Sequence, residues 1–132
     1  MTDILLDTNA LLWLVTDPDR LAPSALDILG DPANNLYVSA ASAWEIAIKT
    51  RLGRLDAGPL LSSWSETIAA MAAMDLPIDA IDGAHAGQLV WDHRDPFDRM
   101  IVAQATRRGL TIATSDKAIH RGTLVPVIDT RR

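Results

Sequence analysis

Four carboxylates in this chain fall at the same kind of structural address. Asp7 ends the apolar run Ile4-Leu5-Leu6. Glu45 follows the strand-like Leu36-Tyr37-Val38 at the opening of a helix. Asp98 sits in the first helical turn after Asp95-Pro96-Phe97, and Asp116 follows the strand-like Thr111-Ile112-Ala113-Thr114. In an α/β sheet, strand ends and the helix starts that follow them share one rim, where ligands bind. Four acids on one rim make a poor core and a good socket for a hard divalent cation. Two carboxylates about 4 Å apart repel by roughly 4 kcal/mol at an effective dielectric near 20. Such a cluster raises its own pKa values, splays apart or binds a cation. Mg²⁺ or Mn²⁺ suits an all-oxygen site that retains waters.

Each acid also has a plain structural role to set against this. Asp7-Thr8-Asn9 offers three helix caps, and Thr8 or Asn9 lies closer to the helix start, which frees Asp7 for the rim. Ser42-x-x-Glu45 fits a capping box, and Glu45 and Lys49 fit an i,i+4 pair. Glu45 joins the site only because the other acids point to the same rim. Asp95 before Pro96 is a strong helix cap, so Asp95 is structural and Asp98 is assigned to the site. Thr114 or Ser115 can cap the segment after the last acid, leaving Asp116 free. The histidines His85, His93 and His120 have no ligand spacing and read as ordinary surface or loop residues. With no cysteine as well, a zinc site is disfavoured.

The elements that must position these acids alternate. Strands are expected over Asp3–Asp7, Leu36–Ser39, Leu110–Thr114 and Val125–Ile128, with a short extended piece at Leu76-Pro77-Ile78. Helices are expected over Ala10–Val15, Pro23–Leu29, Ala40–Leu52, Leu60–Met74, Ala80–Trp91 and Pro96–Arg108. The apolar stripe of the third helix reads as Ala41, Trp44, Ile48 and Leu52. This alternation predicts an α/β fold: a parallel central sheet flanked by helices on both faces. At 132 residues, 48% hydrophobic and 22% charged, a single domain spanning 1–132 is expected.

The apolar stretch Ile4–Val15 lacks a basic flank, contains Asp7 and Asn9, and is too short to span a bilayer. A cytoplasmic protein without membrane contact is expected. The net charge of −5 argues against nucleic-acid binding by bulk charge, although bound cations would invert the sign at the rim. Basic residues cluster locally at Lys49, Arg51 and Arg54, at Arg107 and Arg108, and at Lys117 and Arg121. Each cluster alone reads as a solvated helix face.

The segments around the acids resemble the PIN-domain family and, within it, the VapC-type toxins of bacterial toxin–antitoxin pairs. The matching stretches are Ile4-Leu5-Leu6-Asp7-Thr8-Asn9-Ala10-Leu11-Leu12-Trp13, Ser39 to Lys49 around Trp44-Glu45-Ile46, His93 to Ala105 around Asp95-Pro96-Phe97-Asp98-Arg99, and Thr114-Ser115-Asp116. The resemblance runs in the family's order across essentially the whole chain and implies a single PIN-like domain. It implies a metal-dependent endoribonuclease in which Asp7, Glu45, Asp98 and Asp116 form the acidic quartet. Asp7 and Asp98 would be the primary ligands of Mg²⁺ or Mn²⁺, with Glu45 and Asp116 completing the site directly or through water. Asn9 and Thr114 or Ser115 match polar positions that hold water, metal or phosphate. The implied partners are an RNA substrate, a cognate VapB-type antitoxin and a second copy of the chain.

Trp13, Trp44, Trp64 and Trp91 suit either base stacking or packing, and Trp44 is assigned to packing by its place on the apolar stripe. Arg99 is expected to pair with a rim acid, the alternative being a contact to phosphate or to the antitoxin. A phosphatase with an aspartyl nucleophile at Asp7 is a rival reading, weakened by Asn9 where a second Asp is wanted. A Mg²⁺-binding receiver domain would want adjacent acids after the first strand, which are absent. A non-catalytic binding module with a structural acidic rim is the third alternative.

Overall fold

Ile4, Leu5 and Leu6 are fully buried on both faces of their strand, as a central parallel strand requires. In the computed structural model, which describes residues 1–132, they form β1 (Asp3–Leu6). The other strands are β2 (Asn35–Ser39), β3 (Ala73–Leu76), β4 (Thr111–Thr114) and β5 (Val127–Asp129). All pairings are parallel, in the order β3-β2-β1-β4-β5. Alternation along β1 splits the core in two. Ile4 and Leu6 join Leu36, Val38 and Ala113 on one face, and Leu5 joins Ile112 on the other.

Eight helices cover these faces: α1 (Thr8–Thr16), α2 (Pro23–Leu29), α3 (Ala40–Arg51), α4 (Gly58–Ser62), α5 (Trp64–Ala70), α6 (Ala80–Gln88), α7 (Pro96–Arg108) and α8 (Lys117–Gly122). A single 3₁₀ turn, Pro18–Arg20, joins α1 to α2. Leu11, Leu12, Leu29, Ile46, Leu60 and Ile68 pack on the first face, and Ile101, Val102, Ala105 and Ile119 on the second. The chain builds β2 and β3 to one side of β1, then returns to place β4 and β5 on the other. The crevice between the carboxyl ends of β1 and β4 is therefore a topological switch point.

The helix bounded by Asp95-Pro96 and Gly109 forms as expected. Asp95 Oδ1 accepts from the Phe97 and Asp98 amides, and Gly109 ends α7 with φ of 65°. Elsewhere the structure corrects the sequence reading. No helix runs from Leu60 to Met74. The chain breaks at Ser63, whose hydroxyl donates to the Pro59 carbonyl, and turns through Ala72 at φ 54°. Ala73 and Met74 then pair with Leu36 and Tyr37. Helix-favouring residues are drawn into a strand because the edge of β2 offers a ladder of hydrogen bonds. The buried stripe of α3 is Ala41, Ser42, Glu45 and Ile46. Trp44 is instead 61% exposed, set edge-on against Phe97 at 5.2 Å.

Arg99 pairs with no acid. It donates to five backbone carbonyls, those of Ala86, Gly87, Leu89, Trp91 and His93, at 2.7–3.4 Å. This explains why α6 ends at Gln88 rather than continuing to Trp91: the guanidinium captures the carbonyls of its last turn and of the loop beyond. Arg107 and Arg108 are likewise not a solvated face, since both donate to the fully buried Asp82 carboxylate.

The guanidinium has five hydrogens in a fixed fork, whereas an ammonium has three. Arg99→Lys is expected to lower stability by about 1–3 kcal/mol in urea unfolding. Amide exchange should quicken first across residues 89–95. An unchanged unfolding midpoint would mean that this network contributes nothing to the fold.

Candidate active site

β1 delivers Asp7 directly into the crevice. Its amide extends the sheet by donating to the Ala113 carbonyl at 3.0 Å. Its carboxylate is only 4% exposed and caps α1: Oδ1 accepts from the Ala10 amide at 2.7 Å. Neither Thr8 nor Asn9 takes that cap, because Asp7 already has the extended backbone an N-cap needs. Oδ2 accepts a short hydrogen bond from the Thr114 hydroxyl. Asp7 thus serves as cap and rim acid together.

Thr114 ties this acid to the next. Fully buried at the end of β4, its Oγ1 also accepts from the Asp116 amide at 2.9 Å. Asp116 is itself the cap of α8, with Oδ1 accepting from Ala118 at 2.8 Å, so neither Thr114 nor Ser115 plays that part. Ser115 is half-buried beside it, and Asn9 is exposed in the first turn of α1.

Asp98 enters from the first turn of α7, with Oδ2 2.7 Å from His93 Nε2. His93, Asp98 and Asp116 present donor atoms that all lie within 4.8 Å of one another. His93 is therefore no ordinary loop residue. Its signal in the sequence was its place five residues before Asp98, where the loop that enters a capped helix can fold back on the first turn.

Glu45 stands apart from that cluster. It is 5% exposed, and Oε1 accepts from the Thr8 hydroxyl at 2.6 Å while Oε2 accepts from Lys49 at 2.6 Å. Thr8 has one hydroxyl hydrogen and gives it to Glu45, so the 3.0 Å contact with Ser42 is a bond donated by Ser42. Ser42 forms no capping box. The cap of α3 is Ser39, whose Oγ accepts from Ala41. Sequence reasoning treated Thr8 only as a cap and missed it as the side chain that joins Glu45 to the residue after Asp7.

Burial pushes the Asp7 carboxyl up to about 6, against the opposing hydrogen bonds from Thr114 and Ala10, and the charges of Asp98 and Asp116 add to the rise. Asp98 is also raised to about 6, chiefly by burial, with its bond to His93 opposing and the charges of Asp95 and Asp116 adding. Three carboxylates in mutual repulsion, with no thiolate beside them, form a donor set suited to a hard divalent cation. The site fits Mg²⁺ or Mn²⁺ on its chemistry.

A family model described as PIN domain matches residues 4–123. Ribonuclease VapC22 of Mycobacterium tuberculosis is 26% identical over 127 residues, covering 91% of this chain and 92% of that protein. Among solved structures, VapBC2 from Rickettsia felis, bound to a DNA fragment from its promoter, is similar in fold. Its TM-score is 0.71 at 14% identity, over 98% of this chain and 99% of that one. FitAcB from Neisseria gonorrhoeae aligns at 25% identity with a TM-score of 0.58, over 96% of both chains. The family match runs from the first strand through the last helix and takes in Asp7, Glu45, Asp98 and Asp116; this chain belongs to the PIN-domain family.

Proposed function

We propose that this chain is a metal-dependent endoribonuclease and the toxin of a type II toxin–antitoxin pair. The observation that carries the reading is the convergence of Asp7, Asp98 and Asp116 at the switch point between β1 and β4. The name of the mycobacterial relative supports ribonuclease activity, and the toxin–antitoxin complexes among the structural relatives support the partner.

Asp7 and Asp98 would hold Mg²⁺ or Mn²⁺, with Asp116 closing the site and Glu45 reaching it through Thr8 or water. The chemistry such an ion supplies is neutralisation of the scissile phosphate and acidification of a water. Asp116 uses one oxygen for its cap and keeps the other to take a proton. Lys49 and Thr8 fix Glu45, so its part is to hold the start of α1 and with it Asp7. In-line attack by water leaves a 5′-phosphate and a 3′-hydroxyl. The partners in this reading are an RNA substrate, a VapB-type antitoxin and a second copy of the chain, in the cytoplasm. No helix is long and apolar enough to cross a membrane.

The direct test is cleavage of pooled, end-labelled bacterial RNA by the partner-free protein in Mg²⁺, Mn²⁺ or EDTA. Asp7→Ala and Asp98→Ala should each lose more than about 100-fold in rate, since even outer-shell partners of metal ligands are worth 10–100-fold. Circular dichroism should find both folded. Cleavage that survives EDTA and both substitutions would sink the proposal.

The two raised carboxyls make a second, independent prediction. Their folded pKa values near 6 exceed the ordinary 3.8. The folded state therefore binds these protons more tightly than the unfolded state. The stability they confer is complete below about pH 4 and is lost as pH rises through 6. Asp98→Asn should stabilise the metal-free protein at pH 8 by on the order of 1 kcal/mol, read in urea unfolding, and change its stability little at pH 5. Mn²⁺ should stabilise the native protein more at pH 8 than at pH 5. Equal stabilisation by Mn²⁺ at both pH values would separate ion binding from these acids.

A further inference from the structure

The loop between α6 and α7 is built around a residue that the acid quartet does not include. His93 sits there with its side chain 26% exposed and its Nε2 2.7 Å from Asp98 Oδ2. Three separate devices hold it. Trp91 stacks on its ring, with centroids 4.6 Å apart and planes 25° from parallel. Arg99 Nη1 donates to the carbonyls of both Trp91 and His93, at 2.7 and 3.1 Å. Trp91 in turn packs against Gly122 at the end of α8. A Cβ on Gly122 would come within 2.3 Å of its Cε2 and Nε1, so only glycine admits the indole there.

We infer that His93 is a positioning residue of the acid site: its imidazole fixes the Asp98 carboxylate, and the Trp91–Gly122 contact fixes the imidazole. The inference rests on the reading of the acids as a metal site. An ionised carboxylate only accepts, so Nε2 carries the hydrogen and donates it to Oδ2. That bond removes the freedom of the carboxylate to turn about its own axis and leaves Oδ1 as its open oxygen. Direct coordination by the imidazole fits less well. Nε2 and Oδ2 are already engaged with each other, at 2.7 Å. A bond of that length is a hydrogen bond between ligand and supporter, the arrangement by which outer residues orient metal ligands.

The contact of Trp91 with Gly122 has a further effect. Asp98 lies in the first turn of α7, and Asp116 caps α8. The loop carrying His93 touches both helices, through Asp98 on one and Gly122 on the other. It therefore straps the two acid-bearing helices together, so that their carboxylates do not separate under mutual repulsion.

The test is Mn²⁺ binding to the full chain at pH 8, free of antitoxin and RNA, followed by titration calorimetry and by the loss of the free-ion electron paramagnetic resonance signal. His93→Ala should weaken binding about 10–100-fold with the fold intact. His93→Gln, which restores an N–H donor at a similar reach, should recover most of the affinity. Gly122→Ala should weaken binding in the same direction, and the double variant should be no weaker than His93→Ala alone. Native affinity in His93→Ala would overturn the proposal and leave the metal site standing. Gln binding as poorly as Ala would overturn the hydrogen-bond role in favour of imidazole coordination. A wild-type protein that binds no Mn²⁺ would overturn both this inference and the metal-site reading, whereas native-like binding without RNA cleavage would count against the nuclease reading alone.

Discussion

The structure depends on keeping the Asp7 carboxylate buried at the seam between β1 and β4. Removing a carboxylate from water costs several kcal/mol unless its lone pairs are used. Two neighbours offset that cost, the Ala10 amide at the start of α1 and the Thr114 hydroxyl at the end of β4. Both exist only because the adjacent elements are in register. The pairing of Leu6 with Ala113 sets Asp7 beside Thr114, and the Asp7 amide bonds back to Ala113. Thr114 then accepts from the Asp116 amide, so the residue that solvates the first acid also places the last. A slip of one residue between β1 and β4 would turn every core side chain to the wrong face and dismantle the acid cluster in the same step.

The compensation is incomplete, and that incompleteness suits a metal site. Hydrogen bonds lower the carboxyls of Asp7 and Asp98, yet both remain near 6 because burial and neighbouring charge outweigh them. Asp82 is the contrast. It is equally buried, but Arg107, Arg108 and Gln104 surround it, and its pKa falls well below the ordinary value. One buried acid has its charge neutralised by the chain's own cations and serves structure. The others are left short of positive charge at the rim. The difference between a structural and a site carboxylate lies in who supplies the cation.

The same distinction governs how much was legible in the sequence. The alternation of elements and the α7 boundaries followed from apolar runs, Asp95-Pro96 and Gly109, because local chemistry dictates them; of the four acids, Asp7, Asp98 and Asp116 meet at the rim, while Glu45 is held apart by Thr8 and Lys49. What stayed hidden depends on distant contacts. The assumption that a cap and a site acid must be different residues failed at Asp7 and Asp116, where one carboxylate has oxygens enough for both. The strand at Ala73–Leu76 was masked by helix-favouring composition, and only the open edge of β2 makes it a strand. Trp44 sat on a plausible helical stripe that burial then shifted by one residue toward Glu45. His93 and Arg99 act through a loop whose shape no periodicity encodes.

Charge also limits how the site meets a polyanion. The chain carries a formal net charge of −5, and four of its acids are gathered around this one crevice or beside it. A phosphodiester approaching the ion-free rim would meet repulsion from Asp7, Asp98 and Asp116 together, so on the proposed function affinity for RNA and for a divalent ion would be coupled, each lowering the cost of the other. Lys49 lies close enough to Glu45 to offset one acid and cannot serve the rest. On the proposed function, the positive charge that RNA requires would arrive with the cation. On that reading, the acidic composition that first argued against nucleic-acid binding is compatible with a site that would borrow its positive charge from a metal.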